Sequence, residues 1–109
     1  MLTEQELLEI ANKYISYKNE KSEIEFMILD EFTLKKSYGY IFFYTSKKYY
    51  ETKDFKYAIA GNGPFLVENK EGLVYKFGTA RDTEYYIKEY EAGTWVPASD
   101  GIWRSDNEQ

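Results

Sequence analysis

A chain of 109 residues is the size of one domain, and without Cys or His it has no thiolate or imidazole metal site, disulfide, Cys nucleophile or His-based triad to offer. Charged residues make up 30% and hydrophobic ones 43%, which excludes a disordered or membrane-spanning composition; the 19% of aromatic residues suits Tyr-rich strands. The net charge of −5 gathers in residues 82–109, where Asp82, Glu84, Glu89, Glu91, Asp100, Asp106 and Glu108 stand against Lys88 and Arg104 alone.

Along the chain, Thr3 and Glu6 form a capping box, and Leu7, Leu8, Ile10, Ala11, Tyr14 and Ile15 follow at helical spacing. This predicts a helix over 4–17. From Ile24 the period changes to two, with Ile24, Phe26 and Ile28 on one face, and predicts a strand over 24–34, with a strand end and a turn within Asp30 to Ser37. Tyr38 to Tyr44 is apolar on both faces, so a strand over 38–46 should be central, with Tyr40 and Phe42 facing opposite to Ile41 and Phe43. Residues 46–56 read as a connection or one helical turn, and 56–60 as a candidate further strand. Gly61-Asn62-Gly63-Pro64 is a turn into a strand over 64–68. Asn69-Lys70-Glu71-Gly72, with Gly72 left-handed, turns the chain into a strand over 73–77. Gly78, Thr79 and Ala80 break that strand. Asp82 or Thr83 then caps a helix over 82–92, with Tyr86, Ile87 and Tyr90 inward and Gly93 as its stop.

These elements predict one α+β domain over 1–109: a single antiparallel sheet of about four to six strands, with an N-terminal and a C-terminal helix packed on it. The tail from about residue 104 is polar and expected to be flexible.

No constellation for catalysis stands out. The Gly61–Pro64 loop lacks a following Gly-Lys-Ser/Thr and leads into a strand, so it is not a phosphate loop. Neither Asp30 with Glu31 nor Glu89 with Glu91 signals a cleft, and there is no Gly-x-Ser-x-Gly or Ser-x-x-Lys frame. We expect no enzyme activity, no cofactor and no metal. Met1 to Glu6 has no basic leader and no apolar run approaches a membrane span, which fits a cytoplasmic protein with no membrane partner.

The acidic C-terminal quarter would repel a phosphate backbone, so nucleic acid is not expected as a partner, whereas a protein with a basic surface would be attracted. Glu84, Tyr85, Glu89, Glu91, Trp95, Asp100 and Trp103 are the candidate partner-binding residues, aromatic anchors close in sequence to acids. The competing reading is that Trp95 and Trp103 pin the tail onto the sheet. Nothing in the pattern specifies an oligomeric state.

Three ordered pieces carry a family resemblance: Gly39-Tyr40-Ile41-Phe42-Phe43-Tyr44; Ala60-Gly61-Asn62-Gly63-Pro64-Phe65-Leu66-Val67 running through Gly72 to Tyr75; and Gly78-Thr79-Ala80 followed by Glu84 to Glu91. Together they resemble the immunity protein 35 family, which includes the small bacterial YrhB-like proteins. Gly39-Tyr40 departs from the Gly-Trp common at that point of the family. The resemblance implies a non-catalytic protein that binds and neutralises a cognate toxin of a bacterial polymorphic toxin system. Gly39, Tyr40, Phe42, Phe43, Gly61, Pro64, Gly72, Tyr75, Gly78, Thr79, Tyr86 and Tyr90 would then be fold determinants, with no active site among them. A chaperone-like or general peptide-binding module is the alternative, and a small enzyme a more distant one.

Overall fold

The computed structural model describes residues 1–58, 63–98 and 101–105. Helix α1 runs Glu4–Glu20, three residues beyond the expected end. Its capping box forms: the Glu6 amide donates to Thr3 Oγ1 at 3.2 Å and the Thr3 amide to Glu6 Oε1 at 2.9 Å. The added turn has a local cause. Asn19 Oδ1 accepts from the Phe26 amide at 2.7 Å, clipping the end of α1 to the first strand.

The predicted strand over 24–34 is not continuous. It is divided into β1 (Phe26–Ile28) and β2 (Leu34–Lys36) by a 3-10 turn, Asp30–Phe32. Its partner is likewise divided into β3 (Gly39–Phe42) and β4 (Tyr44–Ser46). The registers explain the break. Ile28 pairs with Tyr44 and Leu34 with Ile41, so residues 29–33 stand opposite 42–43 alone. The three surplus residues are one 3-10 turn, and they split the ribbon between two sheets. The expectation of a single sheet is therefore corrected: β1 and β4 form a two-stranded sheet, and a five-stranded sheet has the order β2-β3-β5-β6-β7.

β5 (Phe65–Glu68) and β6 (Val74–Lys76) fall where expected, and α3 spans Thr83–Ala92. Helix α2 (Lys47–Thr52) occupies the expected connection, capped by Ser46, whose Oγ accepts from the Tyr49 amide at 3.2 Å. The candidate strand over 56–60 is not one where it is described: Phe55–Tyr57 is a 3-10 turn, and residues 59–60 lie outside the described residues. β7 (Ile102–Trp103), unforeseen from the sequence, pairs with β6 at the sheet's edge.

β3 is central, between β2 and β5. The alternation read from the sequence holds: Phe42 and Tyr40 belong to the α1 side with Leu7, Ala11, Tyr14, Phe65 and Val67, while Ile41 and Phe43 belong to the α3 side with Leu66, Phe77, Tyr86 and Ile87. On the α3 side the pairings place Leu34, Ile41, Leu66, Tyr75 and Ile102 in one row across all five strands. The middle of that row is fully buried, but its ends are open, Leu34 at 38% and Ile102 at 46% exposure. A helix of ten residues is too short to cover the row.

The β5–β6 turn is held by a buried carboxylate. Glu68 Oε1 accepts from the amides of Glu71 at 2.7 Å and Leu73 at 3.0 Å, and Oε2 from that of Lys70 at 2.9 Å. Among the described residues no buried side-chain nitrogen or oxygen lacks a partner. Gly72 closes the turn at φ +77°, as the sequence required, and a Cβ there would lie 2.7 Å from Ile10 Cδ1. Gly72→Val is expected to cost about 2–4 kcal/mol, from strain plus displacement of α1, and to lower the midpoint of thermal unfolding followed by circular dichroism. An unchanged midpoint would show that the turn relaxes freely.

Candidate partner-binding face

The acid-rich α3 begins with Asp82, whose Oδ1 accepts from the Tyr85 amide at 2.9 Å. The 3.6-residue period then sends Tyr86 and Ile87 into the sheet and leaves Glu84, Tyr85, Lys88 and Glu91 on the solvent side. Tyr85 is 39% exposed, edge-on to Tyr86, with the Arg81 guanidinium 5.0 Å from its ring centre. Among the described residues it is the most exposed of the predicted aromatic anchors.

The acids do not stand alone. Glu84 lies 3.3 Å from Lys88 one turn on, and Glu91 lies 3.6 Å from Lys36. Glu91 Oε2 also accepts from the Tyr38 hydroxyl at 2.6 Å, joining the end of α3 to the β2–β3 turn. Burial, then that bond to a carboxylate, pushes the Tyr38 hydroxyl well above the usual tyrosine range. Glu89 is half-buried, and its main-chain carbonyl accepts from the Thr94 amide at 3.0 Å as the helix ends. The acidic field is thus tempered by two resident lysines, which sequence position did not reveal for Lys36.

The remaining predicted anchors separate. Trp95 is half-buried and packs on Phe77 at 5.3 Å and Tyr75 at 5.8 Å, covering the sheet beyond the end of α3. Trp103 is corrected from anchor to core residue: it is 7% exposed, on the opposite side of the sheet, 5.4 Å from Tyr14 and 5.5 Å from Tyr17. Asp100 lies outside the described residues, as does Gly61 of the fold motif. Most of the other motif residues serve packing. Tyr75 and Tyr90 meet edge to face at 5.5 Å, both hydroxyls raised chiefly by burial. Pro64 accepts from the Phe77 amide at 2.9 Å, and a Cβ on Gly78 would lie 2.7 Å from the Tyr86 hydroxyl. Thr79 is exposed.

Between α3 and β2 lies a groove of about 430 Å³, with Leu34, Phe43 and Ile87 as its apolar part and Lys36, Glu84, Lys88 and Glu91 as its charged part. Leu34, Phe43 and Ile87 come from β2, the β3–β4 junction and α3, which is why no sequence window displayed them. Among the described residues no group of three or more Asp and Glu could hold a metal ion, and no helix is long and apolar enough to cross a membrane. Among the described residues the carboxyls that depart from their usual range, Glu4 and Glu6, go down: Glu4 through its bond from the Tyr40 hydroxyl, Glu6 through its bond from the Thr3 amide. That is the direction opposite to a poised general acid.

No protein-family model matches the chain, and no solved structure matches it. A stretch of 55 residues is 34% identical to a protein of Escherichia coli (strain K12) described as uncharacterized protein YrhB. The match covers 50% of this chain and 58% of that protein. The chain is thus similar, over about half its length, to a YrhB-like small bacterial protein.

Proposed function

We propose that the protein is a non-catalytic immunity protein that binds a cognate bacterial toxin through the solvent face of α3. The observation that carries this reading is Tyr85, 39% exposed on the solvent side of α3 and next in sequence to Glu84, on a helix that only partly covers the sheet face beneath it. An aromatic anchor supplies affinity once desolvated, and the surrounding charge steers a basic partner and selects against acidic ones. The resemblance to the immunity protein 35 family supports the same reading. A chain without His or Cys is better equipped for binding than for hydrolysis.

The test is binding to the C-terminal domain of a toxin encoded beside this gene, with protection of cells that express it. Tight association with protection is expected. Absence of both, or an isolated gene, would overturn the proposal. Glu84, Glu89 and Glu91 changed together to Gln should slow association about tenfold at low salt and flatten its salt dependence, read by stopped-flow fluorescence. Unchanged rates at low salt would place the interface elsewhere.

A further inference from the structure

We infer that the outer edge of β2 receives an extended segment of a partner protein, which joins the five-stranded sheet as an added strand. The inference deepens the preceding proposal in taking the toxin as that partner, but its geometry is independent of Tyr85. β2 ends the strand order, with no strand on its outer side among the described residues. A strand edge of this kind offers unpaired main-chain donors and acceptors. Apolar side chains gather beside it: Phe32 is 57% exposed, Leu34 38% and Leu8 36%.

An added strand sends alternate side chains to opposite faces, and here each face has a groove to take them. On the α3 side is the groove of about 430 Å³ with Leu34, Phe43 and Ile87. On the α1 side another of about 480 Å³ is lined by Leu8, Ile28 and Tyr40, with the carboxylates of Glu4 and Asp30 and the ammonium of Lys35. Lysines commonly guard a sheet edge by repelling a second strand. In β2 they lean onto the helices instead, Lys35 Nζ 3.4 Å from Glu4 and Lys36 Nζ 3.6 Å from Glu91. The occupant that fits is a segment alternating apolar residues, toward α3, with basic ones, toward Asp30, since Glu4 is already held by Lys35 and the Tyr40 hydroxyl. β2 has three residues and makes few main-chain bonds, so the grooves carry the selectivity.

The probe is an alternating valine–lysine octapeptide, acetylated and amidated, titrated into the isotope-labelled protein and followed by amide chemical shifts. Saturable shifts confined to β2 and the two grooves are expected. N-methylation of the peptide at alternate residues should weaken binding at least about tenfold, and so should Leu34→Glu, with retention of the fold checked by circular dichroism. Absence of saturation, shifts elsewhere, or equal binding by the methylated peptide would overturn the inference. So would a dimer of the unliganded protein that Leu34→Glu dissociates, because β2 would then pair with a second copy. Toxin binding undiminished by Leu34→Glu would overturn the edge site and leave the immunity proposal standing. Peptide binding at β2 without toxin binding would do the reverse.

Discussion

Alanine in place of Gly39 is expected to cost more than about 4 kcal/mol, a large part of the roughly 5–15 kcal/mol that holds a small domain together. Gly39 opens β3 opposite Glu68 of β5, with φ at +152°. A Cβ there would lie 2.2 Å from the Val67 carbonyl oxygen and 2.7 Å from Glu68 Cα. These are main-chain atoms of the neighbouring strand and cannot swing aside as a side chain can. Relief requires β3 and β5 to part, and the same stretch holds the Asn69 amide on the Tyr38 carbonyl at 2.9 Å and the Asn69 side-chain amide on that of Ser37 at 2.9 Å. The clash and these bonds would be affected together. Urea unfolding followed by circular dichroism provides the measurement. A loss below about 1 kcal/mol would mean that the two strands do not approach this closely.

Phe42→Ala is expected to cost about 3–5 kcal/mol, and clearly more than the same change at Phe43. Phe42 has no exposed surface and stacks on Phe65 at 5.4 Å, in the layer that α1 closes. The cavity left by its removal is walled by strand and helix residues with little freedom to collapse. Phe43 is only half-buried, at the junction where the Leu29 amide donates to its carbonyl at 2.8 Å, and beside the open groove. The order of the two costs tests the assignment of layers. A larger loss at Phe43 would reverse it.

The parts of the fold legible in sequence are those set by neighbours along the chain. Thr3 and Glu6 announce α1, Gly72 announces the left-handed turn, and the alternation from Tyr40 to Phe43 divides the two layers correctly. A turn was legible within Asp30 to Ser37, but its place at Asp30–Phe32 was hidden because that stretch contains no Gly or Pro, and Leu29, Phe32 and Leu34 keep an apolar content suited to a strand. Its cause is the register on both flanks, a property of two segments and not of one. β7 was hidden for a related reason: two residues have no period, and Trp103 is placed by its pairing with Val74 and its contact with Tyr14. Of the candidate site, the acidity of α3 was plain in sequence. The Lys36 that answers it, and the groove with Leu34, Phe43 and Ile87, exist only after β2 and α3 are brought together.

The separation of the two tryptophans has a practical consequence. Trp103 is enclosed with Tyr14 and Tyr17 on the α1 side of the sheet, and Trp95 sits against Tyr75, Phe77 and Tyr90 on the α3 side. With two tryptophans in the whole chain, each layer carries its own intrinsic fluorophore, surrounded by tyrosine donors for energy transfer. Replacing one tryptophan by phenylalanine leaves emission from the other layer alone. The protein therefore contains the optical labels needed to ask whether its two half-cores melt together or in turn, and whether a ligand at α3 is felt across the sheet.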